Sequence, residues 1–163
     1  HAQHGSMILT TRLLKEVRET RGLTYSIQAF PMIGDYRGLE LMGAFFTADK
    51  DKLEEAAKIA YETAKGLGEE GPTDIEVNAI NVQMALGLAR EKQLPTFWLG
   101  TLGGARQLSG GLDAVAQGIA AAEKVDVEGL KVFLANLLRD ENYLHVLARP
   151  SPPDDEVKPE GAK

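Results

Sequence analysis

An arginine and a tyrosine stand seven residues apart in the stretch EVRETRGLTYS, residues 16–26. Arg18 lies near the end of a charge-rich run typical of a helix, and Tyr25 follows Gly22, where that run stops. A guanidinium offers several hydrogen-bond donors, and a phenol offers a hydroxyl on an aromatic body. If the turn brings both side chains to one edge of a sheet, they can hold a carbonyl or a developing oxyanion. Spacing alone favours the simpler alternative of a surface arginine and a core tyrosine.

The residue types of other common active sites are missing or isolated. The chain has no cysteine, which excludes disulfides, thiolate zinc sites and cysteine nucleophiles. It also has no H-x-x-E-H, G-x-S-x-G or G-x-x-x-x-G-K-[ST] motif. His145 lies in a predicted strand, where a packed or half-exposed side chain is expected, and Glu69 and Glu70 lie in a turn where carboxylates are solvated. The sequence therefore predicts no catalytic residue and no metal ligand in this chain.

The overall charge and hydropathy exclude two classes of partner. The net charge is −6, and no basic block offsets it, so a nucleic-acid partner is not expected. No apolar run reaches the roughly 18 residues that a membrane span needs. At 163 residues, the chain is long enough to bury a core without disulfides.

Both ends of the chain are predicted to lie outside the domain. Residues 1–7, HAQHGSM, resemble a tag or cloning remnant, so His1 and His4 are given no functional role. The alternative is a natural histidine pair that binds metal, but a mobile terminus offers no preorganised site. Residues 151–163 are rich in proline and charge and are predicted to be a disordered tail. Residues 8–150 are then the domain.

The first half of this domain is predicted to be a helix followed by a hairpin. The helix spans residues 9–20 and ends at Gly22, which is expected to take the left-handed conformation. The strands TYSIQAF and LELMGAFFTA follow, joined by the loop PMIGDYRG into an antiparallel pair. Tyr25, Ile27 and Ala29 fall on one face of the first strand.

Helices dominate the rest of the domain. The periodicity predicts five of them, with a capping box formed by Thr73 and Glu76 and with Thr96 and Asp126 as further caps. NYLHVLAR is predicted to be a final strand. The resulting order is α-β-β-α-α-α-α-α-β, an α+β fold with helices on one face of a mostly antiparallel sheet. Three strands are few for so many helices, which predicts further strands upstream and an exposed sheet edge that can form a homo-oligomer.

The stretch TRLLKEVRETRGLTYSIQAF resembles a segment of the M16 (pitrilysin-like, processing-peptidase-like) zinc metallopeptidases, whose members commonly have S-R-L-x-x-E-[VI]-R-E-x-R-G-L-x-Y-S here. FFTADKDKLEEAAKIAYETAKGLGEEGPTDIEVNAI is similar to the strand–helix–GPT–helix segment of that family, and DENYLHVLARP is similar to its closing strand. The resemblance extends over nearly all of residues 8–150 and is loose over 93–125.

The resemblance implies a fold, a function and a partner. Enzymes of this family pair two homologous domains or subunits of LuxS/MPP-like fold as a clamshell, and one half carries zinc on an inverted H-x-x-E-H motif. The other half closes over the peptide substrate with an arginine and a tyrosine, which places substrate-binding roles on Arg18 and Tyr25. This chain then corresponds to the metal-free C-terminal half without its N-terminal strands. It would be inactive alone, with no cofactor of its own, and zinc is expected in the catalytic half.

Two alternatives remain open at this point. The chain can be a structural member of the same fold, similar to the core-protein subunits of respiratory complexes, in which the Arg–Tyr pair has no chemical role. It can also be an unrelated α+β binding module. The sequence does not identify the compartment, for which the bacterial periplasm or cytoplasm is the expectation.

Overall fold

The computed structural model describes residues 1–33, 40–105 and 109–149. The predicted disordered tail and most of the predicted hairpin loop lie outside these ranges. The helices are α1 (Ala2–Leu13), which continues as a π-helical segment (Leu14–Glu19), α2 (Leu53–Glu70), α3 (Asp74–Glu91), α4 (Pro95–Gly104), α5 (Gly111–Glu123) and α6 (Val127–Leu137). The strands are β1 (Ile27–Ile33) and β2 (Glu40–Phe46), and a short 3-10 turn spans Asp140–Asn142.

The architecture is α+β, as predicted. β1 and β2 form an antiparallel pair in which Ile27 lies opposite Phe46 and Ala29 opposite Ala44. Helix α1 packs against the inner face of this pair and also contacts α2, α3 and α6. The buried apolar side chains at these contacts form one core: Ile8, Leu9, Leu13, Val17, Leu23, Ile27, Ala29, Ala56, Ala60, Leu67, Val77, Ile80, Val125, Leu130 and Leu134. No helix in the described ranges is long and apolar enough to cross a membrane.

Residues 2–7 form the start of α1, in the segment 1–7 that the sequence predicted to be a tag or cloning remnant. Helix α1 begins at Ala2, and Ala2, His4 and Ser6 are buried. Gly5 lies so close to the core that an added Cβ would stand 2.8 Å from a methyl group of Leu134. Histidine, glycine and serine carry no helical periodicity, so the sequence had no signal for this helical start, which depends on tertiary contact.

The first strand is shifted along the sequence. It begins at Ile27 rather than at Thr24, and it continues through Pro31, which was predicted to be in a loop. Proline is tolerated here because the two-stranded sheet has no central strand, so a missing N–H can face an open edge. Tyr25 therefore does not share the strand face of Ile27 and Ala29.

The predicted third strand is absent from the described residues, and this prediction was wrong. Residues 143–149 have no regular secondary structure. The segment lies along α2 instead, with the Tyr143 ring 4.4 Å from the Tyr61 ring and Arg149 paired with Glu54. Leu144 is 82% exposed. Alternating apolar residues form a strand only where another strand supplies backbone hydrogen-bond partners, and no described strand does so here.

Most of the predicted helix boundaries are confirmed. Thr73 and Glu76 form the reciprocal capping box of α3, and the Asp126 side chain accepts the Gly129 N–H at the start of α6. The predicted Thr96 cap is wrong, because α4 begins with Pro95 at its first turn and Leu94 at the cap position. Proline suits a first turn since its missing N–H would have no helical partner there.

A buried asparagine joins α3 to the connection between α5 and α6. The Asn81 amide nitrogen donates to the Val125 carbonyl oxygen, and the Val125 N–H donates to the Asn81 carbonyl oxygen, both at 3.0 Å. Asn81 is 9% exposed and Val125 is 6% exposed, so water cannot readily replace these two bonds.

We expect Asn81→Ala to lower the free energy of unfolding by about 2–3 kcal/mol, because it leaves two buried backbone groups without partners. The measurement is urea unfolding followed by circular dichroism. Asn78→Ala is the matched control, since Asn78 is an exposed asparagine on the same helix. Equal losses in the two variants would show that the Asn81 bonds contribute nothing specific.

Candidate functional site

The helix that carries Arg18 widens before it ends. Residues Leu14–Glu19 form a π-helical segment, and just beyond it the Thr20 N–H donates to the Lys15 carbonyl oxygen, five residues back, at 2.9 Å. Val17 remains fully buried within the segment, while Arg18 is exposed. π-helical turns are rare and are found disproportionately at functional sites.

A glycine turn then reverses the chain, as predicted. Gly22 has a φ of 59°, a conformation that favours glycine. Its N–H donates to the Arg18 carbonyl oxygen at 2.9 Å, and the Leu23 N–H donates to the Val17 carbonyl oxygen at 3.0 Å. Leu23 is buried, so the helix end is closed by both hydrogen bonds and apolar contact.

The residue next to Tyr25 is anchored on the sheet. Thr24 is 8% exposed, and its hydroxyl lies 2.6 Å from the carbonyl oxygen of Thr47, just beyond the end of β2. The backbone around Tyr25 is thus held on one side by Thr24 and on the other by the start of β1 at Ile27. The Cα–Cβ direction of Tyr25 is therefore fixed, and its side chain extends into solvent.

Arg18 and Tyr25 both point to solvent. Tyr25 is 93% exposed, so it is not the core tyrosine that spacing alone had favoured. Within the described ranges, neither side chain makes a hydrogen bond, and no bond joins the two. The turn places both groups on the surface but does not pair them.

The side chains of the neighbouring arginines, Arg12 and Arg21, form hydrogen bonds within the domain. The Arg21 guanidinium lies 2.7 Å from the Glu16 carboxylate and also donates to the Glu16 carbonyl oxygen at 2.9 Å. Arg12 donates to both oxygens of Glu76, at 2.7 and 2.8 Å, and to the carbonyl oxygen of Gly71 at 3.1 Å. Of these three arginines, only Arg18 has no such bond in the described part of the chain.

Glu76 has two structural roles that the sequence revealed only in part. Its carboxylate accepts the Thr73 N–H at 2.8 Å as part of the capping box, and it accepts the bidentate pair of bonds from Arg12. The hydrogen bonds from Arg12, helped by those from Thr73, lower the pKa of Glu76 from 4.5 to about 2. Through its bonds with Arg12 and Thr73, the carboxylate therefore links α1 to the start of α3. The capping box was visible in the sequence, but the pairing with Arg12, 64 positions away, was not.

A surface groove of about 640 Å³ runs beside α1 and its π-helical segment. Its lining includes Arg12, Lys15, Arg21, Glu62 and Glu70. Its two arginines are paired with Glu76 and Glu16 of this domain, so neither guanidinium is free for a ligand. Neither Arg18 nor Tyr25 lines this groove.

The histidines do not converge on a metal site. His4 is buried, burial lowers its pKa, and its Nε2 atom has no partner in the described ranges, while His1 packs edge-on against Phe133. His145 is exposed and lies near the Tyr143 ring rather than in a strand. Among the residues that the structure describes, no group of three histidine, aspartate or glutamate side chains could hold a metal ion.

The comparison with known protein families gives one match. Residues 4–84 match the family described as the peptidase M16 inactive domain. No curated protein matches the chain at a significant level. The matched segment starts inside α1 and ends inside α3, so it includes the Arg18–Tyr25 turn and the β1–β2 hairpin.

The Arg12–Glu76 pair predicts a specific acid sensitivity. The folded-state pKa of Glu76 is below its unfolded value, so the stabilisation is fully present above pH 4.5 and is lost as the pH falls towards about 2. We expect Glu76→Gln to lower the free energy of unfolding at neutral pH by about 1–2 kcal/mol, since the pair is partly solvent-screened. The variant should also lose part of the acid dependence of stability.

The measurement is chemical denaturation at several pH values between neutrality and pH 3. Glu16→Gln is the matched control, because the Glu16–Arg21 pair is more exposed and a surface pair contributes about 0–1 kcal/mol. A Glu76→Gln variant with an unchanged acid profile would contradict the assignment.

Proposed function

Because residues 4–84 belong to the inactive-domain family of the M16 peptidases, we propose that this domain is the non-catalytic half of a zinc-dependent endopeptidase and that Arg18 and Tyr25 contact the peptide substrate. The catalytic half, in the same chain or in another subunit, is the partner. The zinc ion expected in that half supplies an activated water for attack on the peptide carbonyl.

One observation supports the role of this pair. Arg12, Arg21 and Thr24 all use their side chains in bonds within the domain, whereas Arg18 and Tyr25 direct theirs outwards from a fixed backbone. Because the backbone at both positions is already ordered, only the two side chains lose conformational freedom when they bind a ligand. The exposure of Tyr25 also means that its hydroxyl has no role in folding.

The two side chains suit the oxygen of a reacting peptide bond. The guanidinium of Arg18 and the hydroxyl of Tyr25 are both hydrogen-bond donors. A peptide carbonyl gains negative charge as a nucleophile adds to it, so donors directed at this oxygen stabilise the transition state more than the ground state. Two donors from one side and the catalytic half on the other would hold the peptide between them. The isolated domain would bind peptide weakly and cleave none.

The test uses the complete enzyme, made of this domain and its catalytic half. We expect Tyr25→Phe and Arg18→Ala to lower the turnover number by a factor on the order of 100 to 1,000, the usual cost of losing one such donor. The melting temperature and the zinc content should stay at wild-type values, because both side chains are exposed and lie outside any metal site of this domain. The measurements are steady-state peptide cleavage, a thermal melt and a zinc assay on each variant.

Arg21→Ala is the control for Arg18→Ala, since it removes a nearby guanidinium that is already paired with Glu16. We expect it to cleave at close to the wild-type rate. Wild-type cleavage by both Tyr25→Phe and Arg18→Ala would overturn the proposed role and favour the structural, core-protein-like alternative. Activity that falls only in step with the melting temperature would do the same.

A further inference from the structure

The β1–β2 hairpin is apolar on both of its faces. Ile27 and Ala29 lie on the inner face, which α1 covers. The outer face carries exposed apolar side chains, at 38%, 50%, 50% and 68% exposure for Phe30, Met32, Leu41 and Phe45. An antiparallel sheet that leaves one face in water normally has polar side chains there. Exposed apolar patches mark binding surfaces, so this outer face is a candidate for one.

Pairing at the edges of the hairpin would leave the outer face open. At the free edge of β1, the Ala29 N–H donates to the Thr10 hydroxyl oxygen at 2.9 Å, so α1 already uses this backbone group. Pro31 lies two residues further along the same edge and has no N–H to offer. Strands that precede residue 1 would add beside β2, in the plane of the sheet and about 4.8 Å from it. Such strands would widen the outer face without covering it.

The outer face begins at the end of the hairpin that carries Tyr25. The Thr24 hydroxyl is bonded to the Thr47 carbonyl oxygen, and Phe45 lies two residues before Thr47. Phe45 is therefore the first side chain of the outer face that a ligand leaving Tyr25 along β2 would meet. The inner side of the hairpin is closed to such a ligand, because α1 packs there.

We propose that the outer face binds apolar side chains of the peptide substrate, at alternate positions of an extended segment that continues from Tyr25. This inference rests on the proposed function, because it takes the occupant to be the peptide held at Arg18 and Tyr25. β1 and residues 41–46 contain no charged residue. An acidic or basic side chain of the peptide would lose water on this face without gaining an ion pair, so the face selects apolar residues.

The spacing of the side chains on the outer face suits an extended peptide. The Phe30 ring lies over Gly43, 3.0 Å from where a Cβ would be, so it fills the middle of the face. Phe45 and Leu41 each lie two residues from Gly43 along β2, which is about 7 Å in either direction. Side chains at positions i and i+2 of an extended peptide are also about 7 Å apart and point the same way. One would fit between Phe45 and the Phe30 ring, and the next between this ring and Leu41.

The first test is the peptide selectivity of the complete enzyme, made of this domain and its catalytic half. Paired peptides carry leucine or serine at two alternate positions before the cleaved bond, and a second set carries them after it. We expect kcat/KM to favour the leucine peptide of one set by roughly tenfold or more. Phe45→Ser should bring this ratio close to one by raising KM for the leucine peptide, because apolar burial acts on the bound ground state as well as on the transition state.

Two further variants separate this proposal from the role of Arg18. Ile75→Ser is the matched control, since Ile75 is an apolar side chain of α3 that is 81% exposed, and it should keep the wild-type ratio. Arg18→Ala should lower the turnover of both peptides and leave the ratio unchanged. A thermal melt checks that each variant is folded. Lost turnover in Arg18→Ala together with an unchanged ratio in Phe45→Ser would overturn the apolar site alone.

The second test measures binding without cleavage. The chain has no cysteine, so Leu41→Cys and Ile75→Cys each give this domain a single thiol for a polarity-sensitive dye. Zinc is removed from the catalytic half so that no peptide is cleaved. The leucine peptide should shift the emission of the Leu41 dye to shorter wavelength, and the serine peptide should not. The Ile75 dye should respond to neither peptide.

Two dye results would overturn the proposal. A Leu41 dye that is shielded from water before peptide is added, and that does not respond to it, would show that the catalytic half or another segment of the domain covers the face. Equal responses to the leucine and serine peptides would show that the face does not select apolar side chains. A selective Leu41 response, with wild-type cleavage by Arg18→Ala and Tyr25→Phe, would support the apolar site and overturn only the proposed role of the Arg–Tyr pair.

Discussion

The burial of α1 and its π-helical extension is the contact on which the other parts of this domain depend. Ile8, Leu9, Leu13 and Val17 are each at most 3% exposed. The helix that carries them touches the sheet on one side and α2, α3 and α6 on the others. Burying one such side chain contributes about 1.5–3 kcal/mol, so this helix supplies a large part of the apolar stabilisation. The polar side chains of this helix point away from the core, and they make different contacts along its length. Thr10 reaches the sheet edge, Arg12 reaches α3, and Arg18 faces solvent.

The elements that the sequence predicted well are those whose signals are local. The capping box of α3 needs only Thr73 and a glutamate three positions later, and the left-handed turn needs only Gly22 at the end of a helix. The parts that the sequence did not reveal depend on distant partners. In the first residues Gly5 packs against Leu134, and residues 143–149 form no strand because no strand in the described ranges lies beside them. Periodicity carries no information on either contact.

At the candidate site too, the sequence predicted the local features and missed those that depend on distant residues. The sequence pointed to Arg18 and Tyr25 and to the turn between them, and the structure has that turn. It could not indicate which polar side chains are free, because Arg12, Arg18 and Arg21 are chemically identical. Their difference comes from Glu76 and Glu16, which accept the bonds of two of the three. The π-helical segment had no signal at all, since the residues of LKEVRE suit an ordinary α-helix as well.

That π-helical segment constrains the number of residues between Leu13 and Gly22 more than their identity. An α-helix closes each bond four residues back, and this segment closes some of them five residues back, so it holds more chain in the same axial length. Deleting one residue there would allow regular α-helical bonding. A further residue inserted ahead of Arg18 would instead turn the residues that follow by about 100° about the helix axis, and the guanidinium of Arg18 would face a different direction. Single-residue insertions between residues 14 and 17 should therefore be far less tolerated than substitutions, although the segment lies at the surface on one side. The direction of the Arg18 side chain about the helix axis therefore matters as much as the number of residues between Arg18 and Tyr25.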